Sequence, residues 1–184
     1  LMDFGAKNNI AKSLNVRGCE VTIYPQHIGG GNSRTNPDGI MLSNGPGDPK
    51  ECTAIIEELK KLYASDVPIF AIVSVISHGT GKRSGYTQDE IRTPWWKPSG
   101  ERFVNRSCLH FFPEPWYVVD TDTLDPKVAK PAFVNVNDGT NELEYVGKNI
   151  FTVQFHPEAC PGPQDSSYLF DRFIQMREGI SNAK

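Results

Sequence analysis

The residue types best suited to chemistry stand in Gln154-Phe155-His156-Pro157-Glu158, directly after the apolar run Ile150-Phe151-Thr152-Val153. If that run is a strand and continues through them, His156 and Glu158 share a face, because alternate residues of an extended backbone do. An imidazole beside a carboxylate is a general base with the group that orients it. The carboxylate fixes one ring N–H and leaves the other nitrogen free to take a proton. Such a pair is two thirds of a hydrolytic triad, and the missing member is a nucleophile. Without one, a histidine at a strand end is a hydrogen-bonded structural residue.

Two further stretches could complete a site. Gly39-Ile40-Met41-Leu42-Ser43 reads as a short apolar strand and runs into Asn44-Gly45-Pro46-Gly47-Asp48-Pro49. Glycines flanking a proline at the carboxyl end of a parallel strand form a tight turn whose N–H groups are not used by a ladder. Those donors can hold an oxyanion or a substrate carboxylate, or the turn merely connects strand to helix. The second stretch is the buried run Val67-Pro68-Ile69-Phe70-Ala71-Ile72-Val73, whose end is where a nucleophile elbow would sit in an α/β hydrolytic fold. Two glycine-rich segments are decoys. Gly29-Gly30-Gly31-Asn32 lacks the lysine and hydroxyl spacing of a phosphate cradle, and Gly79-Thr80-Gly81-Lys82 has Ile76 and Arg83 where a phosphate loop needs Gly and Ser or Thr.

The elements that must position these residues read as alternating strands and helices. Ala6 to Arg17 carries Ile10 and Leu14 at helical spacing and stops at Gly18; Glu20 to Tyr24 alternates as a strand. Glu51 to Tyr63 is amphipathic, with Ile55, Ile56, Leu59 and Leu62 opposed to Glu57, Glu58, Lys60 and Lys61. Phe133 to Val136 and Leu143 to Val146 pair across Asn137-Asp138-Gly139, and a last helix carries Leu169, Phe170, Phe173 and Ile174, capped by Asp165 or Ser166 and ended by Gly179. Strand, helix, strand in so few residues implies parallel crossovers and an α/β fold, an open and mostly parallel central sheet flanked by helices with an added β-hairpin.

The 184 residues suit one domain spanning 1–184, and the abrupt start at Leu1-Met2-Asp3-Phe4-Gly5 suggests a piece of a longer chain. A net charge of -3 provides no basic field for nucleic acid. No apolar stretch approaches the roughly 20 residues that span a bilayer. Cys19, Cys52, Cys108 and Cys160 have no paired or zinc-ligand spacing, which predicts reduced thiols, no metal site and a cytoplasmic location.

Asp3-Phe4-Gly5-Ala6-Lys7-Asn8-Asn9-Ile10, Pro37 through Pro49, Val67-Pro68-Ile69-Phe70 and Gln154 through Phe173 together resemble the glutamine amidotransferase domain of the carbamoyl phosphate synthase small subunit, which is of the class I, triad type. The resemblance implies that Gly45 and Gly47 line the glutamine site and help form the oxyanion hole. It makes His156 the base and Glu158 its orienting acid, and Tyr117 the aromatic at the end of a glutamine-contacting turn. The implied reaction is glutamine hydrolysis to glutamate and ammonia. The ammonia would be delivered to a large synthetase subunit, with no cofactor in this domain.

From Val73 to Trp116 the chain departs from that family. Where relatives continue from Phe-Gly-Ile into Cys-Leu-Gly-His-Gln, this chain reads Phe70-Ala71-Ile72-Val73-Ser74-Val75-Ile76, so Val73 stands at the nucleophile position. An isopropyl group cannot attack a carbonyl, and β-branching suits a strained elbow poorly. Ser74 would face the other way along the strand, Ser77 lies several residues too late, and Cys108 lies far downstream. Relatives also carry a glycine between Glu142 and Leu143, so the hairpin here is one residue short. Two readings follow: a glutaminase, or a non-catalytic amidotransferase-like domain with a structural or partner-binding role.

Overall fold

A computed structural model describes residues 1–25, 36–44, 53–72, 86–88, 101–104, 107–110, 117–119, 124–135, 141–153, 155–158 and 166–177. Its strands are β1 (Met2–Asp3), β2 (Tyr24–Pro25), β3 (Ile40–Leu42), β4 (Ile69–Ile72), β5 (Tyr86–Gln88), β6 (Glu101–Val104), β7 (Ser107–His110), β8 (Tyr117–Val119), β9 (Ala129–Asn135), β10 (Asn141–Tyr145) and β11 (Ile150–Val153). The helices are α1 (Asn8–Asn15), α2 (Thr53–Ala64) and α3 (Tyr168–Arg177).

Among the described residues nine strands form one open sheet in the order β2-β1-β3-β4-β11-β10-β9-β6-β7, and β5 pairs with β8 in a separate ribbon. From β2 to β11 the pairing is parallel. Beyond β11 it is antiparallel, and the expected hairpin, β9 with β10, is extended by the further hairpin β6–β7.

The parallel strands are apolar on both sides because both sides are covered. Ile40 and Leu42 of β3, Ile69 and Ala71 of β4 and Ile150 of β11 pack with Leu59 of α2. The alternate residues Met41, Phe70, Ile72, Phe151 and Val153 pack on the opposite face with Ile10 and Leu14 of α1 and Leu169, Phe170 and Phe173 of α3. At the centre of that second layer Phe70 stacks on Phe151 at 4.4 Å between centroids and meets Phe170 edge-on at 5.6 Å. Arg172 lies over the outer face of Phe151 at 4.4 Å and pairs with Glu144 of β10, fastening α3 to the sheet.

Several sequence expectations shift here. The alternation from Glu20 to Tyr24 does not make a strand until Tyr24, since Ile23 is 52% exposed and buries no face. Helix α1 begins at Asn8 rather than Ala6. The preceding turn is held by Asp3, whose Oδ1 accepts from the N–H groups of Gly5 at 2.9 Å and Ala6 at 2.6 Å. Ser166 meets α3 through its backbone carbonyl, which accepts from Leu169, and its hydroxyl makes no cap among the described residues. Asp165, Gly179 and the turn at Asn137-Asp138-Gly139 lie outside the described residues. Between Glu142 and Leu143 the β9–β10 register slips, from Glu142 opposite Phe133 to Leu143 opposite Pro131. Ala132 is the extra residue of the resulting bulge.

Candidate functional site

The register lines up the carboxyl ends of the parallel strands. Met2 is opposite Leu42, Leu42 opposite Ala71, and Ile72 opposite Val153. The segments that follow β1, β3 and β11 therefore emerge along one edge, the edge at which open α/β sheets bind ligands.

At this edge His156 and Glu158 meet, with Nδ1 2.9 Å from Oε1 of the carboxylate. The strand ends at Val153, so shared strand faces do not bring them together as expected. A turn does. Phe155 is fully buried among the residues that α1 and α3 cover, which anchors the segment. Pro157 restricts the residue before it to extended backbone and, with its own φ fixed, opens a turn that folds Glu158 back toward the ring.

The side chain of Glu158 is wholly buried and that of His156 is 14% exposed. A buried carboxylate needs partners. Oε1 has Nδ1 of His156 and, at 4.0 Å, the ammonium of Lys7, whereas Oε2 has no hydrogen-bond partner among the described residues. The Lys7 distance is too long for a hydrogen bond and makes this a loose ion pair. An ionised Oε1 accepts the Nδ1–H of a neutral ring, which leaves Nε2 unprotonated and able to act as a base.

Two residues to which the sequence assigned no role join the pair. Besides Lys7, Asn9 in the first turn of α1 donates from Nδ2 to the backbone carbonyl of Glu158 at 3.2 Å. Both stand in the Asp3–Ile10 stretch, but a contact spanning 149 positions leaves no local periodicity to read. Just past the end of β3, Ser43 is buried; its hydroxyl accepts from the Phe4 N–H at 2.9 Å and donates to the Asn44 carbonyl at 3.0 Å. This ties the end of β3 to the end of β1, and the buried Oδ1 of Asn44 has no partner among the described residues.

Gly45, Gly47, Val73, Ser74 and Ser77 lie outside the described residues; Val73 directly follows Ile72, the last residue of β4. Tyr117 opens β8, opposite Gln88 of β5 and apart from the main sheet. Cys108 is on β7, the outermost strand, separated from β11 by β10, β9 and β6. Four strand spacings, roughly 19 Å, part it from the strand that leads to His156.

Among the described residues no group of His, Cys, Asp and Glu is arranged to hold a metal ion, and no helix is long and apolar enough to cross a membrane. A cavity of about 460 Å³, lined by Gly39 and Ile40 before and at the start of β3, by Gly18 and Cys19 after α1, and by Phe173 and Arg177 of α3, lies at the opposite end of the strands from His156.

The chain matches the glutamine amidotransferase class-I family over residues 1–176. It is 37% identical over 184 residues to the carbamoyl phosphate synthase small chain of Staphylococcus saprophyticus, covering 96% of this chain and 49% of that one. The small chain of Neisseria meningitidis serogroup A is 39% identical, with 98% and 48% covered. The arginine-specific small chain of Kluyveromyces lactis is 38% identical, with 95% and 44% covered. The chain thus spans about half the length of the curated relatives it matches. A solved structure from Thermoplasma acidophilum, described as a GMP synthase component, superposes with a TM-score of 0.78 at 18% identity, covering 97% of this chain and 92% of that one. At that identity the likeness bears on the fold alone.

Proposed function

The chain belongs to the glutamine amidotransferase class-I family, and from that premise we propose that it is an amidotransferase domain of the carbamoyl phosphate synthase small-chain type that keeps its base and orienting acid and has lost its glutaminase reaction. The observation that carries this is the pairing of His156 with Glu158 at 2.9 Å beside a strand whose next residue is Val73.

In the reaction the pair is suited to, Nε2 of His156 takes the proton of a cysteine thiol. The thiolate attacks the side-chain carbonyl of glutamine, and the tetrahedral oxyanion is held by N–H donors in the Gly45–Gly47 turn. Its collapse breaks the C–N bond, and the histidine returns the proton to the departing ammonia. Water, deprotonated by the same nitrogen, then cleaves the thioester to release glutamate. Glu158 holds the tautomer and balances the imidazolium throughout. The ammonia would pass to a large synthetase subunit in the cytoplasm. Tyr117 belongs to the glutamine pocket in this reading, and we assign the domain no cofactor and no metal.

With Val73 in place of a thiol, the first step has no attacking atom. The domain's remaining role is then structural, as a small-chain-type module that contacts the large subunit. The competing reading, an active glutaminase, draws on the same intact His156–Glu158 geometry. Glutamate release from glutamine, with mass spectrometry after a glutamine-like chloroketone, separates the two. We expect hydrolysis at the uncatalysed rate and no stoichiometric label. A trapped thioester, or one defined cysteine alkylated, overturns the proposal.

A further inference from the structure

The carboxylate that orients His156 is itself poorly anchored through its side chain. Oε1 meets the ring, Lys7 stands 4.0 Å off, and Oε2 has no partner among the described residues. Glu158 sits in a turn after Pro157, outside the β ladder, so β11 does not fix its backbone. Among the described residues the Asn9 amide ties the Glu158 carbonyl to another element, at 3.2 Å.

Asn9 is well placed to hold something still. Its helix is seated by Ile10 and Leu14, both buried, and the turn leading into that helix is fixed by Asp3 on the N–H groups of Gly5 and Ala6. The restraint runs from β1 through Asp3 and α1 to Asn9, and from there through the Glu158 backbone to the His156 ring.

We propose that Asn9 is a positioning residue for the His156–Glu158 pair, holding the turn that carries Glu158 so that Oε1 stays against Nδ1 and the Nδ1–H tautomer prevails. It touches neither substrate nor ring and acts through the carbonyl of Glu158. The proposal rests on reading the pair as a base with its orienting acid.

The test is ¹⁵N-edited NMR of the 184-residue chain labelled at its 4 histidines, with His156→Gln assigning the signal. The two ring ¹⁵N shifts of the neutral imidazole are population-weighted averages, and their difference reports the tautomer ratio. The wild type is expected to show His156 protonated at Nδ1. In Asn9→Leu, close in shape and without a donor, the ratio of Nδ1–H to Nε2–H is expected to fall about fivefold, what one ordinary hydrogen bond is worth. Asn9→Ser, too short to reach the carbonyl, takes its place should the leucine variant fail to fold. A folded variant whose melting temperature drops while the tautomer ratio stays at the wild-type value overturns the proposal and leaves Asn9 a purely structural tie. A wild type protonated at Nε2 instead overturns the base-and-acid reading itself, so the two failures are told apart.

Discussion

A carboxylate with a wholly buried side chain and one oxygen unpartnered among the described residues is an expensive group to keep. Burial of an incompletely paired charge opposes folding, and residues retained at such a cost serve chemistry or its inheritance more than stability. Glu158→Gln keeps the volume and removes the charge, so the variant is expected to be at least as stable as the parent, by up to about 1 kcal/mol in urea denaturation. A loss of that size would instead make the pair a structural ion pair. At this scale the sequence was legible where partners were close in the chain. His156 and Glu158 could be matched from their spacing, although the turn at Pro157, and not a shared strand face, joins them. Lys7 and Asn9 could not be matched, because their link to Glu158 exists only once β1 and β11 lie in one sheet.

The elements legible in advance were those whose burial pattern is local. Helix α2 and strands β3, β4 and β11 follow from apolar runs and helical spacing, with ends displaced by one or two residues. Strand β2 was not: Val21 packs against the core from outside a strand, and Ile23 is exposed. A tighter constraint sits where α3 crosses the start of β3: a Cβ on Gly39 would lie 2.9 Å from the ring of Phe173. Gly39→Ala is therefore expected to destabilise by about 1–3 kcal/mol through overpacking. Adding Phe173→Leu, which shortens the facing ring, should recover part of the loss, as read by thermal unfolding of both variants. If the double mutant is simply additive, the contact is not the cause. Gly18 differs in kind: its φ of +84° favours glycine with no atom near, so any cost of substitution there is backbone strain alone.

Over the whole molecule, stability should depend on acid through carboxylates that the fold holds charged. Arg17, in the turn after α1, hydrogen-bonds Asp171 of α3 and keeps its carboxyl below the usual range, and the Ala6 and Gly5 N–H groups do the same for Asp3. A carboxyl depressed in the folded state contributes stability that is complete above its unfolded value, near pH 4, and is lost as pH falls toward the folded one. The urea midpoint is expected to hold from about pH 7 to 5 and to fall below about 4. Asp171→Asn should flatten part of that fall, and an unchanged acid slope would remove Asp171 from the account. The α/β class was readable at this scale. The extension of the sheet by β6 and β7 was not, since no apolar alternation in that part of the chain marked those strands.

The adjacency of β4 and β11 has a consequence for how the chain folds. Ile69 pairs with Ile150, so a loop of about eighty residues must be closed before that ladder can form. The closure entropy of such a loop is roughly 4 kcal/mol, against far less for the β9–β10 hairpin. Non-local parallel pairing of this kind is slow. The edge where His156 and Glu158 stand should therefore assemble late in refolding, after the hairpins and helices that flank it.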